Sequence, residues 1–448
     1  MTALKKTIRD LLRYPSAIFG SAIIIALLGV AVYALVTIPY SEAVRLWRGG
    51  EDVWYQNPKY APPAWFNFFS AKKKPVSFLT RTTDGSMTKV ITPSSDPQIF
   101  TQEIGYSFDY IYDTPPQEML LYITSQFEAK KPFASVRWIT PDGRTFRIAD
   151  MQIERDTTFR FSQDQKLQKR LKTEDVMRAL FTDPNSSTGA VLKGQYQVAI
   201  TGTVFEKDSN IDVEFVFHGD LFGLAGTDKY RRDLLLPLLY GTPIALAFGL
   251  LAALGTSLLT MVIAAIGTWY GGWVDELIQR ITGINLVLPF LAILIMVGTF
   301  YSRSIWLMLG VTILLSIFGG SIITYRSIFL QTKEASYIEA ARAYGASSWR
   351  IIFSYLIPRM VPLLIPALVS SVPSFVFLEA SLAVLGLGDP VLPTWGKIID
   401  DAWADGALYQ ARYYWVLEPA VLLMITGLGF AMLGFALDRI FNPRLREV

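Results

Sequence analysis

Apolar and polar positions alternate on two scales along this chain. On the long scale, nearly uncharged apolar runs occupy about 17–38, 243–268, 282–301, 305–325, 360–385 and 415–437. Each is close to the roughly 20 residues a helix needs to cross the hydrocarbon core. On the short scale, the stretch between the first two runs shows period-two alternation. Ser135 to Thr140 and Thr145 to Ile148, joined by Pro141-Asp142-Gly143-Arg144, predict a hairpin. Gln195 to Val204 and Ile211 to Phe217 predict two more strands, and apolar residues at Leu167, Leu171, Val176 and Leu180 predict one helix over 164–181.

The expected fold class is therefore an all-α polytopic membrane protein of about six transmembrane helices, with a β-rich domain, in outline a sandwich, inserted between helices 1 and 2. The expected domains are 1–40 (N-terminus and first helix), 41–225 (the β-rich insert) and 226–448 (five further helices, with a loop at about 326–359). The first run has the look of a signal peptide. Its length, and the lack of a small-x-small site before Pro39-Tyr40, favour a retained anchor. Lys5, Lys6, Arg9 and Arg13, then Arg326, Lys333, Arg342, Arg350 and Arg359, then Arg439, Arg444 and Arg446 fall on one side of a six-helix arrangement. The positive-inside rule makes that side cytoplasmic and 41–230 extracytoplasmic. Pro289, Gly319-Gly320, Pro362, Pro366, Pro373, Gly427, Gly429 and Gly434 within the runs point to kinked, closely packed, movable helices.

Composition narrows the chemistry. Of 448 residues, 52% are hydrophobic, there is no cysteine and one histidine, His218, and the net charge is +3. Thiolate metal sites, disulfides and histidine-based catalysis have almost nothing to draw on, and the charge is too small to argue for nucleic acid. His218, just outside the second run, reads as a packed or surface residue before a ligand. No Gly-x-x-x-x-Gly-Lys-Ser/Thr sequence is present; the nearest approach, Gly223 to Lys229, lacks the glycine-lysine step. The chain is expected to be no enzyme and to carry no metal or cofactor of its own.

Glu334 to Pro358 is the most informative loop. Ser336 and Glu339 have capping-box spacing, Gly345 suits a left-handed helix stop, and a second helix is expected from Ser347 or Ser348. Ala340, Ala341 and Ala343 make the first helix thin, with Tyr337, Ile338 and Tyr344 as apolar anchors. Two readings stay open: a helix seated in a groove of another protein, or an ordinary interfacial amphipathic helix.

Glu339-Ala340-Ala341, Gly345 and Ile357-Pro358 resemble the EAA loop of binding-protein-dependent ABC importer permeases. Gly226-Thr227-Asp228, Arg232-Asp233 and Leu239-Tyr240-Gly241 resemble the signature before the second helix in the oligopeptide/dipeptide group, C-type subunit. Tyr270 to Glu276 with Arg280 and Leu288-Pro289, Glu379 to Leu382, Leu385 to Gly388, Thr394-Trp395-Gly396, Asp438-Arg439 and Asn442 to Leu445 follow in the same order. Arg231 stands where that signature usually has glycine, Pro237 interrupts the next segment, and the insert has no counterpart. The resemblance implies a type I permease core and a coupling helix at about 335–345 that includes Tyr337, Ile338, Glu339, Ala340, Ala341, Tyr344 and Gly345. Glu339 would orient the loop through hydrogen bonds or ion pairs. It implies as partners a sibling permease, two ATP-binding subunits that hold ATP and Mg, an extracytoplasmic solute-binding protein and membrane lipid. The cargo it implies is peptide, oligosaccharide or nickel, with short peptides favoured.

Glu379, Ser370 and Ser371 are candidates for the translocation path, where ionisable groups in a span are functional by default; Glu418 could equally be interfacial. Asp275, Glu276 and Arg280 are either solvated charges or a second contact with the coupling apparatus. The insert could brace, dock a partner or bind a ligand. Rival classes are a membrane-anchored sensor, which calls for a larger cytoplasmic output domain, and a proton- or sodium-driven transporter, which calls for mid-membrane ionisable groups.

Overall fold

The structure is a computed structural model describing residues 13–93, 99–186 and 189–441; Lys5, Lys6, Arg9 and Asn442 to Arg446 lie outside the described residues. Two compact units form. One comprises the described residues up to Arg48 together with those from Leu236 onward, the other Gly49–Leu235.

The helical unit opens with α1 (Pro15–Thr37) and the short α2 (Tyr40–Arg48). Pro15 lies in the first turn, where its missing N–H is no loss. The long α5 (Leu235–Tyr270) is followed by α6 (Gly272–Val287) and α7 (Phe290–Phe300), then by α8 (Ile305–Ile317) and α9 (Gly320–Lys333). Next come α10 (Ser336–Ala343), α11 (Ser348–Ile351), α12 (Ile357–Leu382), α13 (Trp395–Ala404) and α14 (Tyr414–Phe441). Among the described residues, four helical stretches are long and apolar enough to cross a bilayer, and up to six if each of two bent pairs is one span.

The bends correct the expected third and fourth runs. α6 and α7 meet at 79°, α8 and α9 at 46°. Pro289 pushes Leu288 into extended backbone (φ −67°, ψ 136°), which ends α6. Gly319 is extended likewise, and α9 continues well past 325 to Lys333. Pro362, Pro366 and Pro373, expected to kink, leave α12 unbroken. Departures from α geometry sit instead at its two ends, in π segments at Ile352–Leu356 and Ala383–Leu387, the second containing Gly386 at φ +81°.

Small residues set the helix contacts, as close backbone approach requires. A Cβ on Gly20 of α1 would lie 2.7 Å from the Gly429 carbonyl oxygen and 2.8 Å from Leu433 N in α14. A Cβ on Gly249 would meet Val376 Cγ2 at 2.5 Å, and Gly434 packs on Ser370.

The second unit is an antiparallel sandwich. Its strands are β1 (Phe78–Arg81), β2 (Thr88–Pro93), β3 (Phe100–Tyr110), β4 (Glu118–Gln126), β5 (Phe133–Ile139), β6 (Thr145–Gln152), β7 (Asp156–Arg160), β8 (Gly194–Val204) and β9 (Asn210–His218). One sheet has the order β1-β9-β4-β7, the other β2-β3-β8-β5-β6. Trp138, Tyr110, Tyr196, Phe181, Phe215 and Phe217, drawn from both sheets and a helix, share one buried core. The expected hairpin is β5–β6, with Gly143 at φ +83° in its turn. The single helix expected over 164–181 is two: α3 (Gln165–Leu171) and α4 (Val176–Phe181). Lys172 turns left-handed (φ 57°) to end the first, and Asp164 and Asp175 cap the two starts through Leu167 N and Arg178 N.

The boundary expected at 225/226 falls ten residues later. Thr227, fully buried, accepts from Ala61 N (3.0 Å) and donates to Pro58 O (2.8 Å), tying the 226–233 segment to the sandwich unit. Asp228 accepts from Tyr230 N (2.8 Å), Arg232 N (2.9 Å) and Arg232 Nε (2.5 Å). The signature residues are thus a buried turn.

His218 is 3% exposed, with Nε2 3.1 Å from the Gln56 carbonyl oxygen. Burial first, then the positive charge of Arg231, pushes its pKa down to about 4. The folded unit holds it neutral, while the unfolded chain takes up a proton below its ordinary value near 6.5. Stability from this group is therefore complete above pH 6.5 and falls as pH drops toward 4, by up to about 3 kcal/mol. Thermal unfolding of the wild type and of His218→Gln across pH 4–7 checks this: the midpoint of the variant should fall less steeply.

Candidate functional site

The 334–358 loop is anchored before it begins. Lys333 Nζ donates to the carbonyl oxygens of Thr268 (2.9 Å) and Trp269 (3.0 Å), satisfying the C-terminal end of α5. Arg326 grips Asp275 with a two-pronged fork, Nε to Oδ1 at 2.7 Å and Nη2 to Oδ2 at 2.5 Å. The Arg342 guanidinium lies 4.4 Å from the Trp269 ring centre. Asp275 is therefore neither a free solvated charge nor an open contact: it clamps α6 to α9. Glu276 and Arg280 pair with each other on the surface.

The loop helix α10 starts one residue earlier than the capping box requires. Ala335 is the N-cap, and its carbonyl accepts from Ile338 N (2.9 Å) and Glu339 N (3.4 Å). Ser336 already stands inside the helix, so the expected Ser336–Glu339 box does not form. The C-terminal end behaves as expected. Gly345 takes φ +78°, Gly345 N donates to Arg342 O (2.9 Å) and Ala346 N to Ala341 O (3.0 Å). Those two bonds form the Schellman motif. Ser347 then caps α11, accepting from Arg350 N at 3.4 Å.

The two faces of α10 differ sharply. Ile338 is fully buried and Ala341 nearly so. Ile338 joins a core with Tyr325 and Phe329 of α9, Ile352 and Leu356 of the π segment and Met360 of α12. Ile338, expected as an anchor in a partner, is instead the chain's own. Tyr337, Glu339, Ala340, Arg342, Ala343 and Tyr344 point outward, Tyr344 being 93% exposed. The Glu339 side chain makes no hydrogen bond or ion pair among the described residues. Sequence reading missed Trp349 and Phe353. They stack at 5.8 Å and are half-exposed, with Tyr270 6.5 Å from Trp349. Their i, i+4 spacing was the available signal.

The translocation candidates do not come together. Glu379 is buried and hydrogen bonds the Thr394 side chain. Ser371 Oγ donates to Leu368 O at 2.8 Å, within its own helix. What does converge is a set of segments distant in sequence. Trp395 Nε1 donates to Leu238 O (2.9 Å), a Cβ on Gly241 would lie 2.6 Å from Trp395 Cδ1, and one on Gly396 2.6 Å from Ala380 Cα.

Residues 245–447 match the family of binding-protein-dependent transport system inner membrane components. The chain is 30% identical over 225 residues to the dipeptide transport system permease protein DppC of Alkalihalophilus pseudofirmus, covering 50% of this chain and 72% of that one. The glutathione transport system permease protein GsiD of Pectobacterium atrosepticum is 29% identical, covering 50% and 73%. The oligopeptide transport system permease protein OppC of Bacillus subtilis is 29% identical, covering 50% and 72%.

A Cβ at Gly345 meets no atom within 4 Å, so the cost of substitution there is conformational, about 1–2 kcal/mol. Gly345→Ala should raise amide exchange of the 341–348 segment about 5- to 30-fold, and Gly345→Asn, better suited to that backbone, by less. Hydrogen–deuterium exchange checks both.

Proposed function

The chain belongs to the binding-protein-dependent transport system inner membrane components, and from that premise we propose that its 334–358 loop couples an ATPase to alternating access. The chain is a multi-pass permease subunit of an ABC importer for peptides. The observation that carries the coupling role is the two-faced α10. Its inner face is fused to the helical core through Ile338, and its outer face presents Tyr337, Ala340 and Tyr344, all exposed among the described residues.

At 1.5 Å per residue α10 is about 12 Å long. The thin strip of Ala340 and Ala343 fits a groove, and the tyrosines flank it as anchors. A push on this helix passes to α12 through Ile352 and Leu356, because packed interiors compress little. The Arg326–Asp275 fork passes it from α9 to α6. The bends at Pro289 and Gly319 are where the bundle can flex.

In this reading two ATP-binding subunits, which hold ATP and Mg, draw this loop and its counterpart in a sibling permease together. An extracytoplasmic solute-binding protein delivers short peptides. The termini face the cytoplasm, the sandwich faces outward between the first two spans, lipid surrounds the bundle, and nucleic acid has no part. Arg13, Arg326, Lys333, Arg342, Arg350, Arg359 and Arg439 on one side support that orientation.

The chain has no cysteine, so single-cysteine probes are clean. Ala340→Cys and Tyr344→Cys should cross-link to cysteines in the groove of the ATPase subunit, and Ile338→Cys should not. Gly345→Leu should cut peptide uptake at least about tenfold while basal ATP hydrolysis persists, a loss of coupling worth roughly 1.4 kcal/mol or more. Normal uptake by that variant, or no cross-link from the outer face, overturns the assignment.

A further inference from the structure

The Gly49–Leu235 unit contains an open cleft of about 680 Å³ that coupling leaves without a role. A volume in this range suits a small organic ligand. Tyr55 and Tyr122 line it edge to face, their centroids 4.6 Å apart. Arg160 and Arg231 line it with one charge, Glu51, Asp52 and Asp164 with the other.

The two arginines differ in how they are held. Arg231 takes φ +66°, a backbone that glycine adopts without strain and arginine does not. Asn57 holds it there in both directions: Asn57 Nδ2 donates to Arg231 O (3.0 Å), and Arg231 Nη1 to Asn57 O (2.6 Å). The effect is to fix a guanidinium, its side chain 16% exposed, at the cleft. Its ion pair with Glu51 is long, 3.7 Å, and Glu51 is already held by Lys59 at 2.5 Å.

Arg160 makes no ion pair among the described residues, and its charge opposes that of Arg231. Two like charges sharing a cavity repel, and an anion held between them relieves this; of the acids that line it, Glu51 is drawn to Lys59. Among the acids, Asp164 gives one oxygen to Leu167 N (2.6 Å), while Asp52 makes no ion pair among the described residues. The cleft therefore offers one guanidinium without an ion pair, Arg160, a second loosely paired with Glu51, Arg231, an acid without an ion pair, Asp52, and an aromatic surface.

We propose that this cleft binds short zwitterionic peptides, with Arg160 and Arg231 holding the terminal carboxylate and Asp52 the terminal ammonium. Guanidinium forks match a carboxylate in plane and in charge, and the tyrosine pair receives a side chain. The assignment rests on the peptide reading of the cargo and makes the sandwich a second receptor within the permease itself.

The test is isothermal titration of the full chain in lipid nanodiscs with trialanine, trialanine amide and N-acetyl-trialanine. Trialanine should bind, and each blocked probe at least about tenfold more weakly. Arg231→Gly removes the guanidinium and relieves the backbone; it should keep the thermal midpoint and lose at least about tenfold in affinity, as should Arg160→Gln. Equal binding of free and blocked probes overturns the proposal, as does unchanged affinity in both variants or no binding up to about 10 mM. So does a purified solute-binding protein that docks on the cleft and loses affinity in both variants while trialanine does not bind. Uptake of trialanine by the assembled transporter is followed in parallel. Uptake without cleft binding overturns the cleft alone; loss of both overturns the cargo reading beneath it.

Discussion

The burial of Ile338 against α9, the π segment and α12 is the contact that holds the loop helix α10 to the helical unit. A helix of eight residues has no stability of its own in water. It persists here because one face is part of a core and its end is closed by two backbone bonds at Gly345. That arrangement leaves the other face exposed, and in the proposed coupling rigid attachment on one side lets a force on the other side do more than unwind a loop. The Arg326–Asp275 fork is partly buried, so its charges are screened less than a surface pair would be. It ties α6 and α9, two helices that belong to different bent pairs.

Legibility from sequence followed the range of the interaction. The β5–β6 hairpin was readable because Pro141-Asp142-Gly143-Arg144 carries its own turn chemistry. The Gly345 stop was readable for the same reason. The break between α3 and α4 was not. The apolar spacing of Leu167, Leu171, Val176 and Leu180 runs on through it, and the left-handed residue is a lysine without a glycine or proline to announce it. The Ser336–Glu339 box lost to a local competitor, since the Ala335 carbonyl already closes the first turn. Strand partners far apart, such as β3 with β8 and β4 with β9, leave no trace in period-two alternation.

For the site, the exposed or buried state of single residues decided what periodicity left open. Tyr337 and Tyr344 remained outward while Ile338 turned in, a difference of one position on the helix. Asp275 met Arg326 across 51 residues of chain, which no local pattern can encode. Arg231 was visible in sequence only as a departure from glycine. The backbone explains why glycine suits that place, and Asn57 explains how arginine is tolerated there.

The meeting of Gly20 with Gly429 bears on how the molecule is made. α1 ends at Thr37 and its neighbour α14 begins at Tyr414, so about 380 residues are synthesised before the two can touch. At ribosomal rates of about 5–20 residues per second, α1 waits roughly 20–75 seconds for α14. Throughout that interval the glycine-notched side of α1 lacks the helix it packs against.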